Sequence, residues 1–171
     1  MAIQRLNHAV LHVADVARSV AFYTDVLGFR TTVDRGRAVF LQAAGSTNDH
    51  DLGLFEVGAQ AGPSQAGRTT VGLYHLAWEV DTLAELQRIG AALSAAGALV
   101  GATDHATTKA LYGRDPDGLE LEVCWLVPSD RLHDVDPEVA MALRPLDLDR
   151  DIARYGAETV GGIGVSVPVS S

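Results

Sequence analysis

Two short strings 67 residues apart constrain this chain more than anything else in it. "LNHAVLHVAD" (residues 6–15) and "LYHLAWEVD" (residues 73–81) each place a histidine, His8 and His75, five residues before the valine that closes an alternating strand. A helix signal follows each strand. Asp15 stands as N-cap before "VARSVAFYTDVLG", and Thr82 with Glu85 forms a capping box before "LAELQRIGAALSAAG". Gly28 and Gly97 are natural stops.

Three strand-like segments come after each helix: "FRTTVDRG", "AVFLQAAG" and "DLGLFEV" in the first half, "ALVGATD", "KALYGRD" and "LELEVCWLV" in the second. The expected pattern is therefore βαβββ twice, an α+β fold: module one over 1–57, module two over 71–127. Between them "GAQAGPSQAGRTT" (58–70) is rich in Gly, Ala, Ser and Gln and reads as a flexible linker. From 128 to 171 a tail is expected to pack on the modules, with short helices at "PEVAMAL" and "LDLDRDIARYG" and a mobile end, "GGIGVSVPVSS".

The charge balance narrows the partners. Asp plus Glu number 22 against 13 Lys plus Arg, and the net charge of -9 repels a phosphate backbone, so nucleic acid is not an expected partner. The chain has no apolar run of the roughly 18 residues that a membrane span requires, and a soluble, cytoplasmic protein is expected. Cys124 is the single cysteine, so a metal must be held by His and carboxylate.

Candidate ligands fall at equivalent places in the repeat. His8 and His75 share the same phase, each on the first strand of its module, while Glu122 lies on the last strand of module two, after the turn Asp115-Pro116-Asp117-Gly118. Alternation sets His8 on one face with Val10 and His12, and Glu122 with Glu120 and Cys124. A lone strand histidine is ordinarily a surface or hydrogen-bonded residue. The constellation differs, because Glu122 sits in the apolar string "LELEVCW", where an unpaired charge is costly and a cation is the simplest remedy. Two imidazoles and a carboxylate on one side of an ion leave adjacent positions open and suit non-haem Fe(II).

Three segments, "NHAVLHVADVARSVAFYTDVLGF", "GLYHLAWEV" and "LYGRDPDGLELEV", resemble hallmark segments of the vicinal oxygen chelate superfamily, over about residues 5 to 127. That superfamily includes extradiol ring-cleaving dioxygenases, glyoxalases and fosfomycin-resistance proteins. The resemblance implies paired modules forming a curved sheet around a metal cavity. In the extradiol branch it maps His8, His75 and Glu122 onto the metal positions, with Fe(II), or Mn(II), as the ion. It further implies His50, in "NDHDLGLF", as active-site acid/base, Tyr112, ten residues before Glu122, as active-site tyrosine, and His105, in "ATDHATTKALY", as a second histidine of the ring-cleavage segment.

The glyoxalase branch carries instead a glutamate inside the strand that follows His50. Laid over "LGLF", that position falls near Gly53, and Glu56 lies three residues further on. At about 3.3 Å per residue, Glu56 is about 20 Å from His50, too far to share one reacting centre. The expected activity is cleavage of a catechol-type ring by O2 beside the diol, to a muconic semialdehyde-type product, by a homo-oligomer. The alternatives are a glyoxalase- or epimerase-like metal-dependent isomerase and a non-catalytic small-molecule-binding protein of the same fold. His12 and His133 are expected to be structural, and Cys124 a small apolar residue rather than a nucleophile.

Overall fold

Along "AVLHV" the buried Leu11 and Val13 alternate with the exposed Val10 and His12, which makes β1 (Ala9–Val13) a strand with one core face and one open face. In a computed structural model of the chain, residues 2–3, 5–66, 69–135 and 143–162 are described. They divide into two units: Met1–Thr70 with Asp115–Leu119, and Val71–Arg114 with Glu120–Ser171.

In the first unit the Asp15 carboxylate accepts from Arg18 N at 2.9 Å and starts α1 (Val16–Asp25). Val16, Ser19, Phe22 and Tyr23 form its buried stripe, and Gly28, at φ 77°, takes the left-handed conformation that ends the turn. Strands β2 (Arg30–Asp34), β3 (Ala38–Gln42) and β4 (Leu52–Glu56) follow. The sheet order is β1-β4-β3-β2, with β1 parallel to β4 and the other pairs antiparallel. Leu52 and Leu54 are fully buried. This unit also takes in the turn Asp115–Leu119, where Tyr23 Oη donates to Asp115 Oδ2 at 3.3 Å and Ala14 N donates to Asp117 Oδ2 at 3.0 Å.

The second unit repeats the plan. Strand β5 (His75–Glu79) leads into α2 (Leu83–Ala95), capped by Thr82 Oγ1, which accepts from Glu85 N at 3.2 Å. Leu83, Leu86, Ile89 and Leu93 recur at helical spacing and are buried, each burial contributing about 1.5–3 kcal/mol. Strands β6 (Leu99–Asp104), β7 (Thr108–Arg114) and β8 (Glu120–Leu126) complete the module. The order is β5-β8-β7-β6, with β5 parallel to β8 and a further short strand beyond β6.

The fold is thus α+β, with two mixed sheets built from two βαβββ modules. Its fifth strand in the second sheet, β9 (Arg144–Pro145), is supplied by the tail and was not foreseen, being two residues long and containing a proline that only an edge tolerates. A 3-10 segment (Ser129–Asp134) precedes it, and the expected helix at "LDLDRDIARYG" forms as α3 (Leu148–Tyr155), packed on α2. The other expected helix, "PEVAMAL", lies outside the described residues except for Leu143, as does the expected mobile end from Ile163 onward. Among the described residues no helix is long and apolar enough to cross a membrane.

Candidate active site

In the first unit the open face of the sheet gathers imidazoles and aromatic rings. Strict alternation would put His50 on the side of Leu52 and Leu54, in the core; the chain instead bends through Asn48, Asp49 and Asp51 just before β4. Side chains build the bend. Asp51, buried, accepts from Ala43 N (2.9 Å), Ser46 Oγ (2.8 Å) and Asn48 Nδ2 (2.7 Å), and Gln42 Nε2 donates to the carbonyls of Ser46 and Asn48. The result is that the His50 ring lies 4.6 Å from that of His8 and 5.0 Å from that of Phe40.

Both histidines are oriented by their sequence neighbours. His50 Nδ1 lies 3.2 Å from Asp49 Oδ1, which also accepts from His50 N, and this contact holds the Asp49 carboxyl below its usual range. His8 Nδ1 lies 2.8 Å from Asn7 Oδ1. In each ring it is Nδ1 that makes this contact. Asp49 and Asn7 were not singled out in the sequence; the signal available was only their adjacency to the histidines.

Gly53 and Glu56 separate clearly. Val10 pairs with Gly53 in the β1–β4 register just as Ala77 pairs with Glu122 in β5–β8, so Gly53 occupies the place in module one that Glu122 holds in module two. A Cβ there would stand 3.3 Å from the Phe55 ring and 3.4 Å from Val10 Cγ2. Glu56 lies opposite Val13, at the far end of β4, where it pairs with Arg37 (3.3 Å) and accepts from Val16 N (3.3 Å) at the start of α1.

The second unit holds the other four candidates. His75 lies opposite Glu120 in register, yet its Nε2 reaches diagonally to Glu122 Oε2 at 3.1 Å, and its buried Nδ1 has no hydrogen-bond partner. Tyr112 lies directly opposite Glu122 across β7–β8, and its ring is 6.0 Å from that of His75. Its hydroxyl is 2.8 Å from His105 Nε2. Burial, then the nearby Glu122 charge, pushes the Tyr112 pKa up, so the phenol stays protonated at neutral pH. Cys124 is pushed up to about 12, by burial first and then by Glu122 and Glu79, which removes it as a nucleophile. His12 and His133 are both exposed, and His133 lies beside Asp134 (3.4 Å).

An imidazole and a carboxylate 3.1 Å apart are a donor pair that fits a divalent ion, since two donors each about 2.1 Å from one ion and at right angles are about 3.0 Å apart. Among the described residues no group of three or more His, Cys, Asp or Glu is drawn together around one point.

A family model described as Glyoxalase/Bleomycin resistance protein/Dioxygenase superfamily matches residues 5–123. A catechol-2,3-dioxygenase of Bacillus subtilis is 33% identical over 118 residues, 69% of this chain; the match spans 40% of that protein's length. Virulence protein STM3117 of Salmonella typhimurium is 30% identical over 131 residues, covering 72% of this chain and 85% of that protein. Among solved structures, a glyoxylase/bleomycin resistance protein/dioxygenase domain from Frankia sp. EAN1pec superposes with a TM-score of 0.62 at 22% identity, over 78% of this chain and 99% of that one.

Proposed function

From the premise that the chain belongs to the glyoxalase/bleomycin resistance protein/dioxygenase superfamily, we propose that it is an extradiol dioxygenase that opens a catechol-type ring beside the diol with O2. Fe(II), or Mn(II), is the proposed ion, with His75 and Glu122 as ligands and His8 as the third. The observation that carries the reading is His50, turned out of its strand's alternation onto His8 at 4.6 Å. The 33% identity to a catechol-2,3-dioxygenase supports the same branch.

When bound, the ion supplies Lewis acidity that brings catechol hydroxyls into the neutral range and redox coupling between ring and O2. The chain's own residues move the protons. His50, with Nδ1 held by Asp49, uses Nε2 to take a proton from a substrate hydroxyl and later returns it to the departing oxygen. Tyr112 keeps its phenolic proton at neutral pH and points its hydroxyl, 2.8 Å from His105 Nε2, as a hydrogen-bond donor toward a substrate oxygen. Both atoms of O2 enter the ring-opened muconic semialdehyde-type product.

The isomerase alternative needs a carboxylate inside β4. Gly53 stands at that position with Phe55 and Val10 against it, which weighs against the alternative. A non-catalytic binding protein has no use for two histidines and a glutamate at these places. The test is anaerobic Fe(II) reconstitution followed by O2 and a catechol panel, with a yellow ring-opened product expected. No oxygen uptake with any diol, together with tight Ni(II) or Zn(II) binding, would turn the reading to the isomerase.

A further inference from the structure

The turn that carries His105 is held by four charged groups beneath it. Asp104, Lys109 and Asp151 are buried at 3%, 3% and 1% exposure, and Arg150 closes the set from the surface, its side chain 46% exposed. Asp104 is the hub. Its Oδ1 accepts from Ala106 N (2.9 Å) and Lys109 Nζ (2.5 Å), and its Oδ2 accepts from Arg150 Nη2 (2.9 Å). Lys109 Nζ also lies 3.6 Å from Asp151 Oδ2, and Arg150 Nε donates to Asp151 Oδ1 at 3.5 Å. Two cations and two carboxylates balance, so the cluster is neutral as a whole.

Such a cluster is a poor device for stability alone, because desolvating four charges offsets most of their attraction. Its geometry has a definite product. Ala106, at φ 66°, is the only non-glycine described residue with a positive φ, a conformation that an L-residue holds only where its surroundings impose it. The Asp104 carboxylate, accepting from Ala106 N, imposes it here, and His105 N to Thr108 O and Thr107 N to His105 O (both 2.9 Å) complete the turn. This backbone sets the direction in which His105 leaves the turn, toward Tyr112 Oη at 2.8 Å. Two of the four charges, Arg150 and Asp151, come from α3, beyond the residues that the family model matches.

We propose that α3 is a positioning element for the His105–Tyr112 pair: Arg150 and Asp151, acting through Asp104 and Lys109, lock the β6–β7 turn in the left-handed form that keeps His105 on the tyrosine. The functional consequence rests on the dioxygenase reading, whereas the lock itself does not. Arg150 is the residue to change, being half-exposed and replaceable without opening the core.

In metal-free protein labelled with 15N-histidine, Arg150→Gln is expected to move the His105 Nε2 resonance toward that of a solvated imidazole. Amide exchange at Ala106 and Thr107 should speed up by roughly tenfold. In the iron-loaded enzyme kcat for catechol should fall by roughly tenfold with KM within about twofold, and Arg150→Lys should restore both readouts. Unchanged His105 resonances and unchanged Ala106 exchange in Arg150→Gln overturn the lock. If those signals shift as expected while His105→Ala retains full turnover, the lock stands and it is the catalytic reading of His105 that fails.

Discussion

His75 Nε2 stands 3.1 Å from Glu122 Oε2, reached diagonally across a parallel strand pair in which the two residues are not register partners. Glu122 itself faces Tyr112 on the other side, so the central strand of this trio presents one carboxylate between an imidazole and a phenol. If the pair is a ligand pair, Glu122→Gln should weaken Fe(II) retention by more than the roughly 10- to 100-fold typical of losing an outer-sphere partner. Metal content after dialysis measures this. Retention equal to wild type would remove Glu122 from the proposed ligand set, and His8→Ala applies the same measurement to the proposed third ligand.

His50 and Glu56, six residues apart, should behave oppositely. If the proposed roles hold, His50→Ala is expected to retain added Fe(II) as the wild type does and lose roughly 10²- to 10⁴-fold in kcat, the usual contribution of a positioned acid/base. Glu56→Gln should leave turnover unchanged but weaken the fold by about 1 kcal/mol, because its carboxylate serves Val16 N and Arg37. Asp49→Asn is the intermediate case: the ring stays against Phe40 and His8, but Nδ1 loses its carboxylate partner, and kcat should fall by less than in His50→Ala. A wild-type kcat in Asp49→Asn would mean that Asp49 does not orient His50 for the reaction.

What the chain's letters disclosed follows from where local rules govern. Asp15 and Thr82 cap the helices that their spacing announced, and the 67-residue repeat returns as the same strand register in both sheets. The side of β4 on which His50 emerges could not be read from alternation, because Asp51, Asn48 and Gln42 build a side-chain-bonded bend that breaks the period of two just before the strand. The tail was legible only in part. In "LDLDRDIARYG" the spacing announces a helix packed on the modules but not that Asp151 is its buried charge, 1% exposed, since its partners Lys109 and Arg150 are near one another only after folding.

Cys124 gives a pH prediction. Its thiol is raised to about 12 in the fold, against about 8.5 in an unfolded chain. A raised acid keeps its proton when folded, so its contribution to stability is intact below about pH 8.5 and declines as pH rises toward 12. At pH 8 the folded thiol holds far less thiolate than a free cysteine and should react with iodoacetamide on the order of 10³-fold more slowly. Alkylation at the free-cysteine rate in native protein would show that the site is open to water.

Gly161 is where the tail is pinned. Its N–H donates to Asp81 O at 2.7 Å, Gly162 N donates to Leu126 O at 3.0 Å, and Trp125 Nε1 donates to Thr159 O at 3.2 Å, so the segment after α3 lies directly on the indole. A Cβ at position 161 would stand 2.8 Å from Trp125 Nε1 and 2.9 Å from Leu126 O. Neither neighbour can yield, because Trp125 is fully buried and Leu126 O belongs to the strand backbone. Gly161→Ala must therefore lift the segment, breaking these bonds and exposing the indole, at about 1–3 kcal/mol and a Tm several degrees lower. Tryptophan emission should shift to the red in the same variant. Gly62→Ala, where a Cβ meets nothing within 4 Å, is the control expected to change neither. An unaltered Tm and emission spectrum in Gly161→Ala would mean that the tail does not rest on Trp125, and would take with it the support that α3 draws from this end.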